Sequence, residues 1–333
     1  MHFDGQISFL SSPFPAKAGV ISKRSRFQIY IDIIFWRFPC RMNVATSTVP
    51  FLINAAFNLP FCLIAFIGNF LILVAFARTP SLLSPSNVFL ISLAISDLCV
   101  ALIVQPVYMA WKFHQHMNQT PTMVGFLGKA SMFVSSLLGA VSFMIVSCLI
   151  VDRYLAVFLH LRYYAIVTVR RVSYCIVVLI CFPCLIASSL GAWQPGYFEF
   201  IAAPSSFLCL LINAVLYFKI YRVVRRHQLQ VWNRLTAFHN VSPKNITTAG
   251  FRRSFVTIFY VYVVCLVCYV PYIITAINFC MQGGMEAPIT AKFAFEVSWT
   301  ITFINSSLNP LLFSWRLKNI QAAVKSALKE LLC

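Results

Sequence analysis

Long apolar blocks separated by short charged gaps set the pattern of this chain. Seven of the blocks reach roughly 20 residues or more, the length a helix needs to cross about 30 Å of hydrocarbon. They run Pro50–Ala77, Asn87–Trp111, Val124–Val157, Val172–Ala192, Tyr197–Val224, Ser254–Cys280 and Ala291–Phe313. Within hydrocarbon only helices or a closed barrel satisfy every backbone N–H and C=O, and these blocks are too long for barrel strands. The pattern predicts an all-α membrane protein, a seven-transmembrane helix bundle over residues 50–316. After it, Leu317, Ile320, Val324, Leu328 and Leu331 recur every three or four positions, opposite Lys318, Lys325 and Lys329. That spacing predicts a short amphipathic helix 8 over residues 317–333, lying along a membrane surface.

Composition agrees. Of 333 residues 60% are hydrophobic and 10% charged, with a mean hydropathy of +0.82, whereas a soluble domain is about a quarter charged. The net charge of +18 does not sit on a basic domain that would meet nucleic acid. It falls between the apolar blocks, on alternate gaps. One set of gaps, with the tail, holds Arg78, then Arg153, Arg162, Arg170 and Arg171, then Lys219, Arg222, Arg225, Arg226, Arg234, Lys244, Arg252 and Arg253, and finally Arg316, Lys318, Lys325 and Lys329. The other set offers Lys112, Lys129 and Lys292. The positive-inside rule puts the C-terminus in the cytoplasm and, after seven crossings, the N-terminus outside.

Residues 1–49 form the segment on the outer side and run against that rule, with Lys17, Lys23, Arg24, Arg26, Arg37 and Arg41. Two readings stay open: Met42 is the working start, or this leader is cleaved or disordered. The twelve Cys lie mostly inside apolar blocks without metal-ligand spacing and read as small core residues.

Polar groups inside a bilayer are costly and tend to mark function. Asp97 stands in the middle of the second block and needs partners to stay there. Asn69, Ser142, Asn305, Ser306 and Asn309 on other blocks can supply them. Such a cluster can hold an allosteric Na⁺ or can close on itself by hydrogen bonds, and the sequence leaves both open. The third block ends in Asp152-Arg153-Tyr154, an acid–base pair that can neutralise itself in one state and separate in another.

In order, the blocks carry Gly68-Asn69, Leu93-Ala94 with Ser96-Asp97, Asp152-Arg153-Tyr154, Tyr217 with Ile220, Cys268 with Pro271, and Asn305-Ser306 with Asn309-Pro310. With these motifs the chain resembles a rhodopsin-like (class A) G-protein-coupled receptor over about residues 50–332. The resemblance implies a multi-pass receptor of the plasma membrane whose extracellular ligand drives the sixth helix outward about Pro271, opening a cavity for a heterotrimeric G protein. Arg153 would change partners, Tyr217 would hold the open state, and Pro310 with Phe313 would belong to the same switch. A proline kink suits such a lever because it removes one backbone hydrogen bond. The basic third inner gap and the tail helix fit a landing surface for G protein and for membrane lipids.

Departures from the family pattern matter as well. Tyr269 stands where the family has Trp, Cys265 where it has Phe, and Phe313 where it has Tyr. The fourth block lacks the usual Trp, the fifth lacks the usual Pro, and Gly128 replaces the Cys of the outer disulfide. With a very short second outer loop, these features are closest to the melanocortin receptors, and Arg162-Tyr163-Tyr164-Ala165-Ile166-Val167-Thr168 resembles both those and the adenosine receptors. Their ligand residues do not carry over: Val107, Gly128 and Met132 replace the melanocortin acids, and Ala276 replaces the adenosine Asn. Ser135 stands where amine receptors have Asp, and Phe303 where opsins have their Lys. A bridge between Cys40 and Cys280 is the one outer disulfide the sequence offers.

The expected pocket is aromatic and nearly uncharged: Phe133, Ser135, Ser136, Gly139, Tyr269, Tyr272, Trp299 and Phe303, with Glu199 and Glu296 nearer the rim, either as solvated acids or as selectors of a cation. It favours a small, apolar or lipid-like ligand, with an amine, a nucleoside or a peptide as alternatives. Asn118 is a candidate glycosylation site and Cys333 a candidate for palmitoylation. The sequons at Asn240, Asn245 and Asn305 fall inside or in the membrane. Two other functions compete: a non-signalling or modulatory receptor-like binder, and a transporter, for which the chain lacks internal repeats. No nucleophile, base and orienting group share a face, so no enzyme is expected.

Overall fold

The computed structural model of the protein describes residues 49–117, 120–159, 162–189, 197–237, 248–284, 287–316 and 318–332. Among the described residues there is no strand, and the long elements are helices. They are α1 Val49–Arg78, α2 Pro85–His116, α3 Pro121–Leu159, α4 Val169–Ser189, α5 Tyr197–Ala237, α6 Thr248–Met281, α7 Ile289–Arg316 and α8 Lys318–Leu332. By length and composition alone, α1, α2, α3, residues Ala202–Arg226 of α5 and Phe259–Met281 of α6 are apolar enough to cross a membrane. Among the described residues α4, at 21 residues, and α7, at 28, are the other long helices of the bundle.

The helices outrun the apolar blocks at the Arg153 end. Hydropathy ends where charge begins, but Arg222, Arg225 and Arg226 are good helix formers and α5 continues to Ala237. The end of the fourth block at Ala192 lies outside the described residues, as do Cys40, Met42 and Asn118. α7 continues through Arg316, so the tail helix starts at Lys318.

α2 begins at Pro85, behind Ser84, whose hydroxyl accepts from the Asn87 N–H. Midway it widens into a π-helical turn at Val100–Val104. Pro106 comes two residues after it; it cannot donate to the carbonyl four residues back and its ring crowds that carbonyl, which a wider turn relieves.

Outward faces are apolar and the interior carries polar groups. Phe57, Leu63, Val178, Phe207 and Val215 are exposed, while Asn58, Asn69, Asp97, Gln105, Lys112 and Asn309 are buried. That inversion belongs to a protein whose solvent is lipid. α3 runs through the middle, touching α2, α4, α5 and α6, and α7 packs against α6 and α1. α1 and α7 approach closely where Gly68 faces Pro310: a Cβ on Gly68 would lie 2.7 Å from the proline Cγ.

Candidate functional site

A small cavity opens between α3, α5, α6 and α7. Its walls are Val100 on α2; Ser135, Ser136, Gly139, Ala140 and Ser142 on α3; Ala202 and Ser206 on α5; Tyr269 and Tyr272 on α6; and Trp299, Thr302, Phe303 and Ser306 on α7. None of these is charged. Aromatic rings form a continuous side: Tyr269 to Tyr272 at 6.5 Å, Tyr272 to Phe295 at 6.2 Å, Phe295 to Trp299 at 5.2 Å and Trp299 to Phe303 at 6.4 Å. The Tyr269 hydroxyl donates to the Gly139 carbonyl at 3.2 Å, and its ring lies 4.9 Å from that of Phe143, so this side chain ties α6 to α3 beside the cavity.

Seven of the expected pocket residues, Ser135, Ser136, Gly139, Tyr269, Tyr272, Trp299 and Phe303, therefore meet on one cavity. Phe133 is half-buried on α3 but does not line it. The Glu199 side chain lies outside the described residues. Glu296 departs from expectation: it is not a solvated rim acid. Its Oε1 lies 2.6 Å from the Lys112 Nζ, with both side chains largely buried. The ammonium sits 3.5 Å from the centre of the Trp111 ring and 5.1 Å from that of Phe51. Asn54 donates to the Tyr108 hydroxyl, which donates in turn to Glu296 Oε2 at 3.4 Å. The physical reason is that α2 does not stop at Trp111; it continues to His116 and carries Lys112 inward onto α7.

Deeper in the bundle, Asn309 donates to Asp97 Oδ2 at 2.7 Å, and Ser306 stands beside the same carboxylate. Asn69 donates to the Ser306 carbonyl at 3.1 Å. Ser142 shares a 2.6 Å hydrogen bond with Ser96 and so joins α3 to α2 rather than bonding Asp97. Asn305 is buried nearby on α7. Three buried oxygens, Asp97 Oδ1, Asn69 Oδ1 and Asn309 Oδ1, have no hydrogen-bond partner among the described residues. Ser142 and Ser306 also line the cavity, which makes it continuous with this cluster.

At the other end, buried Asp152 holds Arg153 by a 2.9 Å contact between Oδ2 and Nη2. Ser86 on α2 donates to the same oxygen at 2.8 Å, and Tyr163, on a single helical turn at Tyr163–Ile166, donates to Oδ1 at 2.6 Å. Burial, and then the bond to Asp152, push the Tyr163 phenol up to about 12, so it keeps its proton at any cellular pH. Tyr154 stacks on Phe158, with centroids 5.7 Å apart. Tyr217 lies between the Phe259 and Tyr262 rings of α6, at 5.1 and 5.9 Å. Pro271 and Pro310 lie inside α6 and α7, and Phe313 is fully buried.

The sequence model of the seven-transmembrane receptors of the rhodopsin family matches residues 68–191. Melanocortin receptor 4 of Danio rerio is 26% identical over 290 residues, spanning 85% of this chain and 84% of that receptor. Melatonin receptor type 1A of Gallus gallus is 26% identical over 273 residues, 78% of this chain and 75% of that receptor. G-protein coupled receptor 52 of Mus musculus is 28% identical over 207 residues, 55% of each chain. These matches support a rhodopsin-like (class A) G-protein-coupled receptor.

This G-protein-coupled receptor is thus a multi-pass membrane protein of a family of receptors rather than enzymes. Sequence reasoning missed Val100, Ala140, Ala202, Ser206 and Thr302 in its cavity wall. A small residue gives no signal of its own, but Thr302 precedes an expected lining residue. Lys112 had a signal: it follows Tyr108 and Trp111 at the spacing of one helical face.

Proposed function

We propose that the receptor binds a small, uncharged, mostly apolar or lipid-like extracellular ligand in this cavity and passes the event to a heterotrimeric G protein. The observation that carries the reading is the state of Glu296. A cationic amine or peptide needs an unspent carboxylate, and Lys112 already holds this one at 2.6 Å. What remains for a ligand is a wall of rings and hydroxyls, which rewards apolar surface with a few hydrogen bonds. The N-terminus is outside and the C-terminus in the cytoplasm of a plasma-membrane receptor, because the basic residues gather at the Arg153 end.

A ligand between α3, α5, α6 and α7 touches Tyr269, and displacing its hydroxyl from the Gly139 carbonyl releases α6 from α3. α6 then swings outward about Pro271, where the missing backbone donor softens the helix. Arg153 leaves Asp152 for the G protein, and Tyr217 holds the opened end. The exposed Arg222, Arg225 and Arg226 of α5 extend that landing surface, and α8 rests on anionic lipid.

The three unpartnered oxygens around Asp97 fit a sodium ion, since they offer acceptors and one negative charge. When bound, the ion supplies positive charge to a buried carboxylate. The residues' own part is to hold α1, α2 and α7 in one arrangement through the Asn309–Asp97 and Asn69–Ser306 bonds.

The test is cAMP in cells expressing the receptor, beside an Arg153→Ala control, first at rest and then against a panel of neutral lipophiles, amines, nucleosides and peptides. A response to neutral compounds that is lost in the control supports the reading. A response confined to cations, or neutral binding without any G-protein signal, overturns it.

A further inference from the structure

The cavity does not account for a set of buried polar groups beside it. Gln105 on α2 is fully buried, yet neither its amide nitrogen nor its carbonyl oxygen has a hydrogen-bond partner among the described residues. The buried hydroxyls of Ser131 and Ser135 on α3 are likewise unpartnered. Two contacts fix how α2 and α3 pass one another: Ser96 with Ser142 at 2.6 Å, and Gly128 pressed against the Trp111 indole. Between those points α2 uses one residue more than α3, which the π turn Val100–Val104 absorbs. Counting in from either contact, Gln105 falls at the depth of Ser131–Ser135. On α7, Asn309 meets Asp97 and Glu296 meets Lys112, which puts Thr302 and Phe303 at that same depth. Ser135, Thr302 and Phe303 all line the cavity, so this polar layer adjoins it.

We infer that the cavity extends toward α2 in a recess headed by Gln105, and that the recess takes a neutral carboxamide group of the ligand. The inference rests on the neutral-ligand reading above. A carboxamide is the complement of a carboxamide: its C=O accepts from Gln105 Nε2 while its N–H donates to Oε1, and the two serine hydroxyls satisfy the remaining lone pair and donor. Among the described residues an ammonium or carboxylate finds no counter-ion at this depth, because Lys112 and Glu296 are spent on each other. Such a group turns four unpaired polar atoms into paired ones. A buried site built to hydrogen-bond its ligand rejects analogues that lack the donor.

The experiment uses the full chain in nanodiscs, with 2-phenylacetamide, a primary amide whose syn N–H lies beside its C=O, and the ester methyl phenylacetate as probes and dissociation constants from saturation-transfer NMR. We expect the amide to bind about tenfold tighter than the ester, and the preference to vanish in Gln105→Met, a variant close in shape. The ligand-free melting temperature supplies the second readout. Replacing an unpaired buried amide by an apolar isostere should leave it equal or higher. Equal binding of amide and ester to the wild type overturns the recess and leaves the neutral cavity standing. If neither probe binds, both readings fail. If Gln105→Met and Gln105→Leu both melt below the wild type, the amide is paired within the ligand-free protein and the recess is overturned.

Discussion

At the scale of single residues, the two interior glycines Gly68 and Gly139 separate packing from function. A methyl on Gly68 would meet the rigid Pro310 ring at 2.7 Å, whereas a methyl on Gly139 meets nothing within 4 Å. Gly68→Ala should therefore cost about 1–3 kcal/mol through overpacking, read as a lower melting temperature. Gly139→Ala should hold stability or gain up to about 1 kcal/mol from helix propensity while narrowing the cavity; equal losses in both would sink the close-approach argument. Tyr163 offers a sharper test of the Arg153 end. Tyr163→Phe removes a donor from a buried carboxylate, about 1–3 kcal/mol against the arrangement that holds Arg153, so basal signalling should rise at unchanged surface expression. Ser86→Ala should act in the same direction. Flat basal levels in both variants would show that these bonds do not restrain the switch. The sign with pH is simple: the phenol's contribution is complete below its usual value near 10 and fades as pH passes about 12. Asp152-Arg153-Tyr154 was legible in the sequence because the pair is contiguous. The donors Ser86 and Tyr163 were not, since they come from other elements and only folding brings them to Asp152.

Among the elements, α2 is where sequence and structure diverge most, and the divergence has consequences. Its apolar block ends at Trp111, which assigned Lys112 to a loop and Glu296 to a solvated rim. The helix instead runs to His116 and buries both. Hydropathy cannot foresee this, because it scores Lys112 by its charge and is blind to a carboxylate supplied from α7. The π turn was equally hidden, although Pro106 marks its place. The ion pair ties α2 to α7 at the end away from Arg153, so its halves should not be separable. Lys112→Met strands a buried carboxylate and should cost about 3–5 kcal/mol. Adding Glu296→Leu should recover most of that, because the desolvation penalty leaves with the charge. Thermal unfolding of the wild type, both single variants and the double variant measures the coupling directly. A Lys112→Met protein as stable as the wild type would mean that the pair holds nothing together.

For the whole molecule, what orients the bundle is the distribution of charge rather than any single contact. The seven apolar blocks and the family motifs could be read in one dimension, because membrane length and a motif per helix are properties of local sequence. The cavity wall could be read only in part, because Val100 and Ser206 become neighbours through packing alone. Orientation depends on counting, and there the chain carries two competing signals. In the proposed orientation, Arg162, Arg170, Arg171, Arg222, Arg225 and Arg226 draw the Arg153 end to the cytoplasm. Lys17, Lys23, Arg24, Arg26, Arg37 and Arg41 pull the first crossing the opposite way. If the leader is retained during insertion, the two signals oppose each other across α1. A chain begun at Met42 should then place a tag just before residue 50 outside in a larger fraction of molecules than a chain begun at Met1. Antibody staining of intact against permeabilised cells measures that fraction. Replacing the leader's six basic residues by Gln in the longer chain should close the gap, because only their charge has changed. If the two chains insert alike with every basic residue in place, the leader does not compete for orientation, and the inner arginines alone set the topology.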